Sequence, residues 1–295
     1  MASGSVGGVL GGDLRQDGRK WNELRRLTCD LDVVKGADGS AMFMMGRTKV
    51  LASCNVVPMS TSKLKRSGVT GNRGGGGGGS APVVELRVSW APFAMQERRE
   101  RGRTDRFIVD LENALRCTVQ TMLNSSSSTT TRTKSSSSFS AMGSTSEVQI
   151  KVVVLTADGG VKSCCVNAVT CAVGMANLAC GNFVVSCGCT AQPIGKTLRE
   201  ARMLQAQGAG EGQKFLLDPN STEINKHMEL SLAVTVSGER HHHQDVVSVM
   251  CDSKMTPEDL EETVDISSEG CKAIGKFVRK TLMEYMSKVA TVSLH

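Results

Sequence analysis

The sequence predicts a single α+β domain, with sheets packed by helices and a long helix at the C-terminal end. Three observations predict it. Eight runs of alternating or β-branched residues recur along the chain, with the Val density that favours sheets. Three helical segments stand among them, giving the order strands, helix, strand, helix, strands and a last helix. Finally, 295 residues can bury a sizeable core without staples. Because aromatic residues are only 3%, that core must rest on Val, Leu, Ile, Met, Ala and Cys.

The predicted strands cover residues 27–33, 41–45, 49–57, 83–90, 148–155, 183–189, 228–236 and 246–251. The first helix, over 106–123, places Phe107, Leu111, Leu115 and Met122 on one face, with Asp105 as its N-cap. The second, over 164–179, is small and apolar nearly all round and should be buried against a sheet. Thr256-Pro257-Glu258-Asp259 opens the third with an N-cap, Pro at the first helical position and an acidic first turn. Leu260, Val264, Ile274, Val278, Leu282 and Met286 keep its phase, and Ser267, Ser268 and Gly270 are expected to bend it. Residues 66–82, with the run Gly74 to Gly79, and the Ser/Thr-rich residues 124–146 cannot bury apolar area. Both read as insertions within one domain over 14–290, flanked by tails at 1–13 and 291–295.

Composition excludes several classes. The eleven cysteines lie in apolar runs with no paired Cys-x-x-Cys spacing, so they read as reduced, buried thiols in an intracellular protein and not as a disulfide framework or zinc site. The first dozen residues lack the basic flank and apolar stretch of a signal peptide, and no segment approaches the ~20 apolar residues of a membrane helix. A net charge of +6 is modest; its clustering says more. Five arginines fall within residues 98–106, at Arg98, Arg99, Arg101, Arg103 and Arg106. With so few aromatics, base stacking on aromatic platforms is not how this protein is expected to hold nucleic acid. His241-His242-His243 read as a polar hairpin tip and not a metal site, because three consecutive turn residues fix no coordination geometry.

Three ordered pieces carry a resemblance: Asp17-Gly18-Arg19-Lys20-Trp21-Asn22-Glu23-Leu24-Arg25-Arg26, then Ala37-Asp38-Gly39-Ser40, then Gly46-Arg47-Thr48-Lys49-Val50. With Ala91-Pro92-Phe93, Ala157-Asp158-Gly159-Gly160 and Leu216-Leu217-Asp218-Pro219-Asn220-Ser221, they extend over about residues 14–290. The chain resembles the ribonuclease PH family, in the branch that forms the ring of the eukaryotic RNA exosome. The resemblance implies a two-layer ribonuclease PH-like fold with two mixed or antiparallel sheet regions, and a six-membered ring of related subunits. It also implies single-stranded RNA threaded through the ring's channel, RNA-binding cap subunits, a separate associated nuclease, and a place in nucleus, nucleolus and cytoplasm. No membrane contact is implied.

Active members of that family cut RNA from its 3′ end with inorganic phosphate. Their phosphate cradle is Gly, Ser or Thr, then Arg, ahead of a helix whose N–H groups attract anions. Here Gly160, Val161 and Lys162 stand in that place. Val161 has no hydroxyl, and Lys162 lacks the bidentate grip of Arg. Ser163 is a candidate substitute donor, so Gly160, Lys162 and Ser163 form a degenerate phosphate site. The family's two aspartates, six residues apart, correspond to Glu223 and Glu229. The extra methylene of each displaces its carboxylate. Where active exosome relatives have two adjacent arginines, this chain has Arg106 followed by Phe107. The resemblance also points Arg98, Arg99, Arg101, Arg103 and Arg106 at RNA phosphates, with Lys63, Lys65 and Arg66 as further candidates.

Two functions follow. The first is a structural and RNA-guiding ring subunit supporting 3′-to-5′ RNA processing and degradation, ribosomal RNA maturation included, with no catalytic residue, cofactor or metal of its own. The second is a phosphorolytic 3′-to-5′ exoribonuclease using Glu223 and Glu229 with Lys162 and Arg106, inorganic phosphate as co-substrate and a divalent metal such as Mg. Val161, Lys162 and Phe107 depart together from the active pattern and favour the first.

Overall fold

Alternating Val-rich runs build the scaffold, and in the computed structural model they pair into two sheets. The structure describes residues 15, 17–58, 83–95, 105–128, 146–176, 178, 180–193, 213–224, 229–236 and 244–292. Strands β1 (Leu27–Leu31), β2 (Gly39–Met45), β3 (Thr48–Pro58), β4 (Val83–Trp90) and β5 (Ser146–Thr156) form a five-stranded sheet in the order β1-β2-β3-β5-β4. All its pairs are antiparallel except β4 with β5, whose parallel pairing requires a crossover. Helix α1 (Arg106–Ser128) lies in that connection. The second sheet, β7-β6-β8-β9, is wholly antiparallel and comprises β6 (Phe183–Pro193), β7 (Gln213–Leu217), β8 (Glu229–Val236) and β9 (Val246–Cys251).

Helix α2 (Val161–Met175) lies between the sheets, touching β2 and β3 on one side and β6 on the other. It can be buried from Val161 through Val173 because its polar groups are matched. Asn167 Nδ2 donates to the Ser186 carbonyl at 2.9 Å while its Oδ1 accepts the Ser186 N–H at 2.9 Å. Its small residues permit close approach: a Cβ on Gly39 would lie 2.2 Å from the Ala172 carbonyl oxygen.

Helix α4 (Pro257–Val292) packs on β6 and β8. Thr256 caps it, accepting the Asp259 N–H at 3.2 Å. The helix runs unbroken past Ser267, Ser268 and Gly270. Gly270 serves packing there, since a Cβ would meet Cys187 Sγ at 2.7 Å. Asp105 caps α1 as expected, taking the Phe107 N–H at 3.0 Å. That helix continues to Ser128, into the stretch read as an insertion, because propagation gains one backbone bond per residue at little cost for Ser or Asn. The short helix α3 (Ser221–Ile224) and strand β7 complete the fold. All eleven cysteines are free thiols, seven of them buried, although Cys117 is exposed on α1. Burial pushes Cys54, Cys165, Cys189 and Cys271 each up to about 12, far from the thiolate form that reacts.

Candidate functional site

The sequence motifs converge on one buried polar knot at the entrance to α2. Arg25 donates to Asp218 from its backbone N–H at 2.9 Å, from Nε at 3.0 Å and from Nη2 at 2.7 Å. The same guanidinium donates to the carbonyls of Asp158 at 2.6 Å and Gly159 at 3.2 Å. The Thr48 hydroxyl donates to the Gly159 carbonyl at 2.7 Å and accepts the Asp158 N–H at 3.0 Å. Ser221 Oγ donates to Asp158 Oδ1 at 2.6 Å. Segments nearly two hundred residues apart thus set a single turn, in which Gly159 and Gly160 adopt φ of +76° and +61°. A Cβ on Gly159 would sit 2.5 Å from the Asn220 carbonyl carbon, so only glycine fits.

Past this turn α2 starts at Val161, with Gly160 as an N-cap that offers no side chain. Lys162 is 5% exposed. Its Nζ donates to Asp252 Oδ2 at 2.5 Å and stands 5.5 Å from the centre of the Phe107 ring, a cation–π distance. Phe107 in turn meets Trp90 edge-on at 5.9 Å. Glu229, at the start of β8, accepts a hydrogen bond from the Gly160 amide. Its Oε1 is buried with no hydrogen-bond partner among the described residues. Burial pushes the Glu229 carboxyl above the usual Glu range; Asp252 adds to this, while Lys162 and the Gly160 amide oppose it.

Of these groups, Lys162, Phe107 and Asp252 border a cleft of 740 Å³ formed by the start of α1, Lys162 and the residues from Val249 to Lys254. Arg106 and Phe107 line it, and so do Asp110, Asp252 and Lys254. Arg106 is almost fully exposed, its Nε 3.6 Å from Asp110.

The structure therefore brings together Gly160, Lys162, Glu229 and Arg106, but not all of the expected set. Ser163 is fully buried, and its hydroxyl lies 3.1 Å from Ser186 Oγ and 3.3 Å from Ser231 Oγ, inside the fold and unable to serve as the substitute donor. Glu223 has a local role: it accepts the Asn220 N–H at 2.9 Å while its own N–H goes to Asn220 Oδ1 at 3.0 Å, a reciprocal cap of α3. Its carboxylate lies 3.8 Å from both Arg15 and Arg19. A divalent cation would find Glu229 and Asp252 here, with Lys162 already on Asp252; this donor set does not fit a metal well. Asp252 and Lys254 are site residues that the sequence reading missed, and a motif before a capped helix is their only signal. Arg98, Arg99, Arg101, Arg103, Lys63, Lys65, Arg66 and His241 to His243 lie outside the described residues.

Two sheets sharing one buried helix, whose N-terminus opens on a cleft of mixed charge, define a ribonuclease PH-like protein. The chain belongs to the 3′ exoribonuclease family, and the model of that family's domain 1 matches residues 23–179. Among curated relatives it is 30% identical over 272 residues to the exosome complex component RRP41 homolog of Arabidopsis thaliana, covering 92% of each chain. It is 29% identical over 240 residues to RRP41 of Mus musculus, covering 78% of this chain and 87% of the relative. The crystal structure of rice Rrp46 shares the fold, with a TM-score of 0.62 at 21% identity over 91% of this chain and all of the other. So does a chain of an Archaeoglobus fulgidus exosome with RNA bound to the active site, with a TM-score of 0.61 at 16% identity over 88% and 91%.

Proposed function

We propose that this chain is a ring subunit of an RNA exosome that holds and guides single-stranded RNA and does not itself cut it. Homology to exosome components supports the ring and RNA assignment. The state of the α2 N-terminus supports the absence of cutting, and one observation carries it: the Lys162 charge is already spent on Asp252. Beside this pair the Glu229 carboxylate holds the Gly160 amide. Phosphate would face two acidic side chains and one paired cation, with no hydroxyl from Val161 or Ser163. Helix N-termini attract anions, but neighbouring carboxylates repel them. RNA backbone contact falls instead to exposed arginines, Arg106 among them, which grip phosphates irrespective of sequence. Cap subunits and a separate nuclease complete the assembly in this reading, which places it in nucleus, nucleolus and cytoplasm. No bound metal is required.

The test uses the purified ring, freed of associated nucleases, with oligoribonucleotide, phosphate and magnesium. No nucleoside diphosphate is expected. Phosphate-dependent release that Glu229→Gln abolishes would establish the phosphorolytic alternative.

A further inference from the structure

Helix α4 outruns the core it packs against. Ile274, Val278 and Leu282 carry its apolar stripe into that core, and Leu282 is the last buried residue described in it. Met286 and Val289 continue the stripe in phase, four and seven residues on, but are 43% and 47% exposed, and Met283 beside them is 66% exposed. The helix nevertheless runs to Val292, about 15 Å past Leu282 at 1.5 Å per residue. A helix draws most of its stability from packing its apolar face, and this stretch of face is left open among the described residues.

Charge says what fits there. The first half of α4 carries only acidic charges, from Glu258 to Glu269, whereas over 270–292 Lys272, Lys276, Arg279, Lys280 and Lys288 stand against Glu284 alone. Lys272 is held by Glu269 at 2.6 Å and Lys280 lies 3.8 Å from Glu284, while Lys276 and Lys288 are exposed with no ion pair among the described residues. Cations offset the helix dipole only near the last turn, which accounts for Lys288 but not for Lys276. Lys276 stands seven residues before Met283 and so borders the open apolar face. We propose that the C-terminal end of α4 docks in an apolar groove of another protein, rimmed by Asp and Glu, with Met283, Met286 and Val289 as its anchors. RNA would pair with the lysines but leave these three side chains in water. A membrane surface asks for an apolar face along the whole helix, and most of this one is already spent in the core. A second copy of the chain would set lysines against lysines. Methionines suit such a groove because their flexible side chains adapt to its shape. The proposal does not depend on the RNA-guiding reading.

The test introduces the photo-crosslinking residue p-benzoylphenylalanine at Met286, and separately at Val289, in the complete complex purified with its bound proteins. Crosslinked peptides are mapped by mass spectrometry. Both positions are exposed, so the core is untouched. Crosslinks from the two should converge on one segment of another protein, with apolar residues flanked by Asp or Glu. Lys276→Glu combined with Lys280→Glu should cut their yield about tenfold at low salt, and by less as salt rises. Crosslinks to RNA, to lipid or to a second copy of this chain overturn the proposal. So does the absence of crosslinks, or a yield that charge reversal leaves unchanged.

Discussion

Replacing Asp218 by Asn tests whether the buried knot, and not the cleft, is what the turn of Leu216 to Ser221 maintains. Asp218 has φ of +50°, a conformation Asn tolerates better than most residues, so the substitution removes charge without adding much backbone strain. Arg25 and Asp218 are 7% and 0% exposed, and three of the Arg25 donors point at this carboxylate. An amide retains one acceptor and turns an NH₂ toward a guanidinium that stays charged and dry. Removing one partner of a buried pair costs about 3–5 kcal/mol. At a few degrees per kcal/mol for a domain of this size, the melting temperature should fall by about 10 °C. The same guanidinium holds the Asp158 and Gly159 carbonyls, so amide hydrogen exchange at Val161 and Lys162 should accelerate as well. Urea denaturation with exchange at those amides reads both effects. A loss below about 1 kcal/mol, or unchanged exchange at the α2 N-terminus, would refute the reasoning.

Three further outcomes are expected. Gly159→Ala should cost about 3 kcal/mol in urea denaturation, from positive φ and the clash with Asn220 together; Gly18→Ala, with φ of +82° and nothing within 4 Å, should cost only the strain, about 1 kcal/mol. Because the folded-state pKa of Glu229 is raised, its charge penalises folding only above the unfolded carboxyl value. Glu229→Gln should therefore match wild type near pH 4, gain relative stability as pH rises through the raised value, and hold that gain at higher pH; a gain largest at low pH would contradict the burial argument. Neutralising Arg98, Arg99, Arg101 and Arg103 together should weaken RNA binding by the assembled ring and flatten its dependence on salt, whereas unchanged binding at low salt would count against the channel role.

The eight expected strands and three helices are all present because Val alternation and capping residues are local signals. Strand β7 was missed: five residues, Gln213 to Leu217, are too few to show alternation. Helix α2 begins a turn before the expected Cys164 because a helix buried on every side has no polar face to mark its phase. Arg25 and Asp218 each stood inside a recognisable motif, but their pairing spans 193 positions, and nothing local announces it. Asn220 three residues before Glu223 is a capping signature, which the six-residue spacing to Glu229 obscures. The pairing of Lys162 with Asp252 was not legible, since it depends on how α2 meets the end of β9.

The central claim is that the chain grips RNA without cutting it, and one gel tests it most directly. A 5′-labelled oligoribonucleotide is bound to the nuclease-free ring and followed with and without inorganic phosphate in the presence of magnesium. The account predicts retained, full-length RNA in both series. A ladder shortening from the 3′ end only when phosphate is present would contradict it.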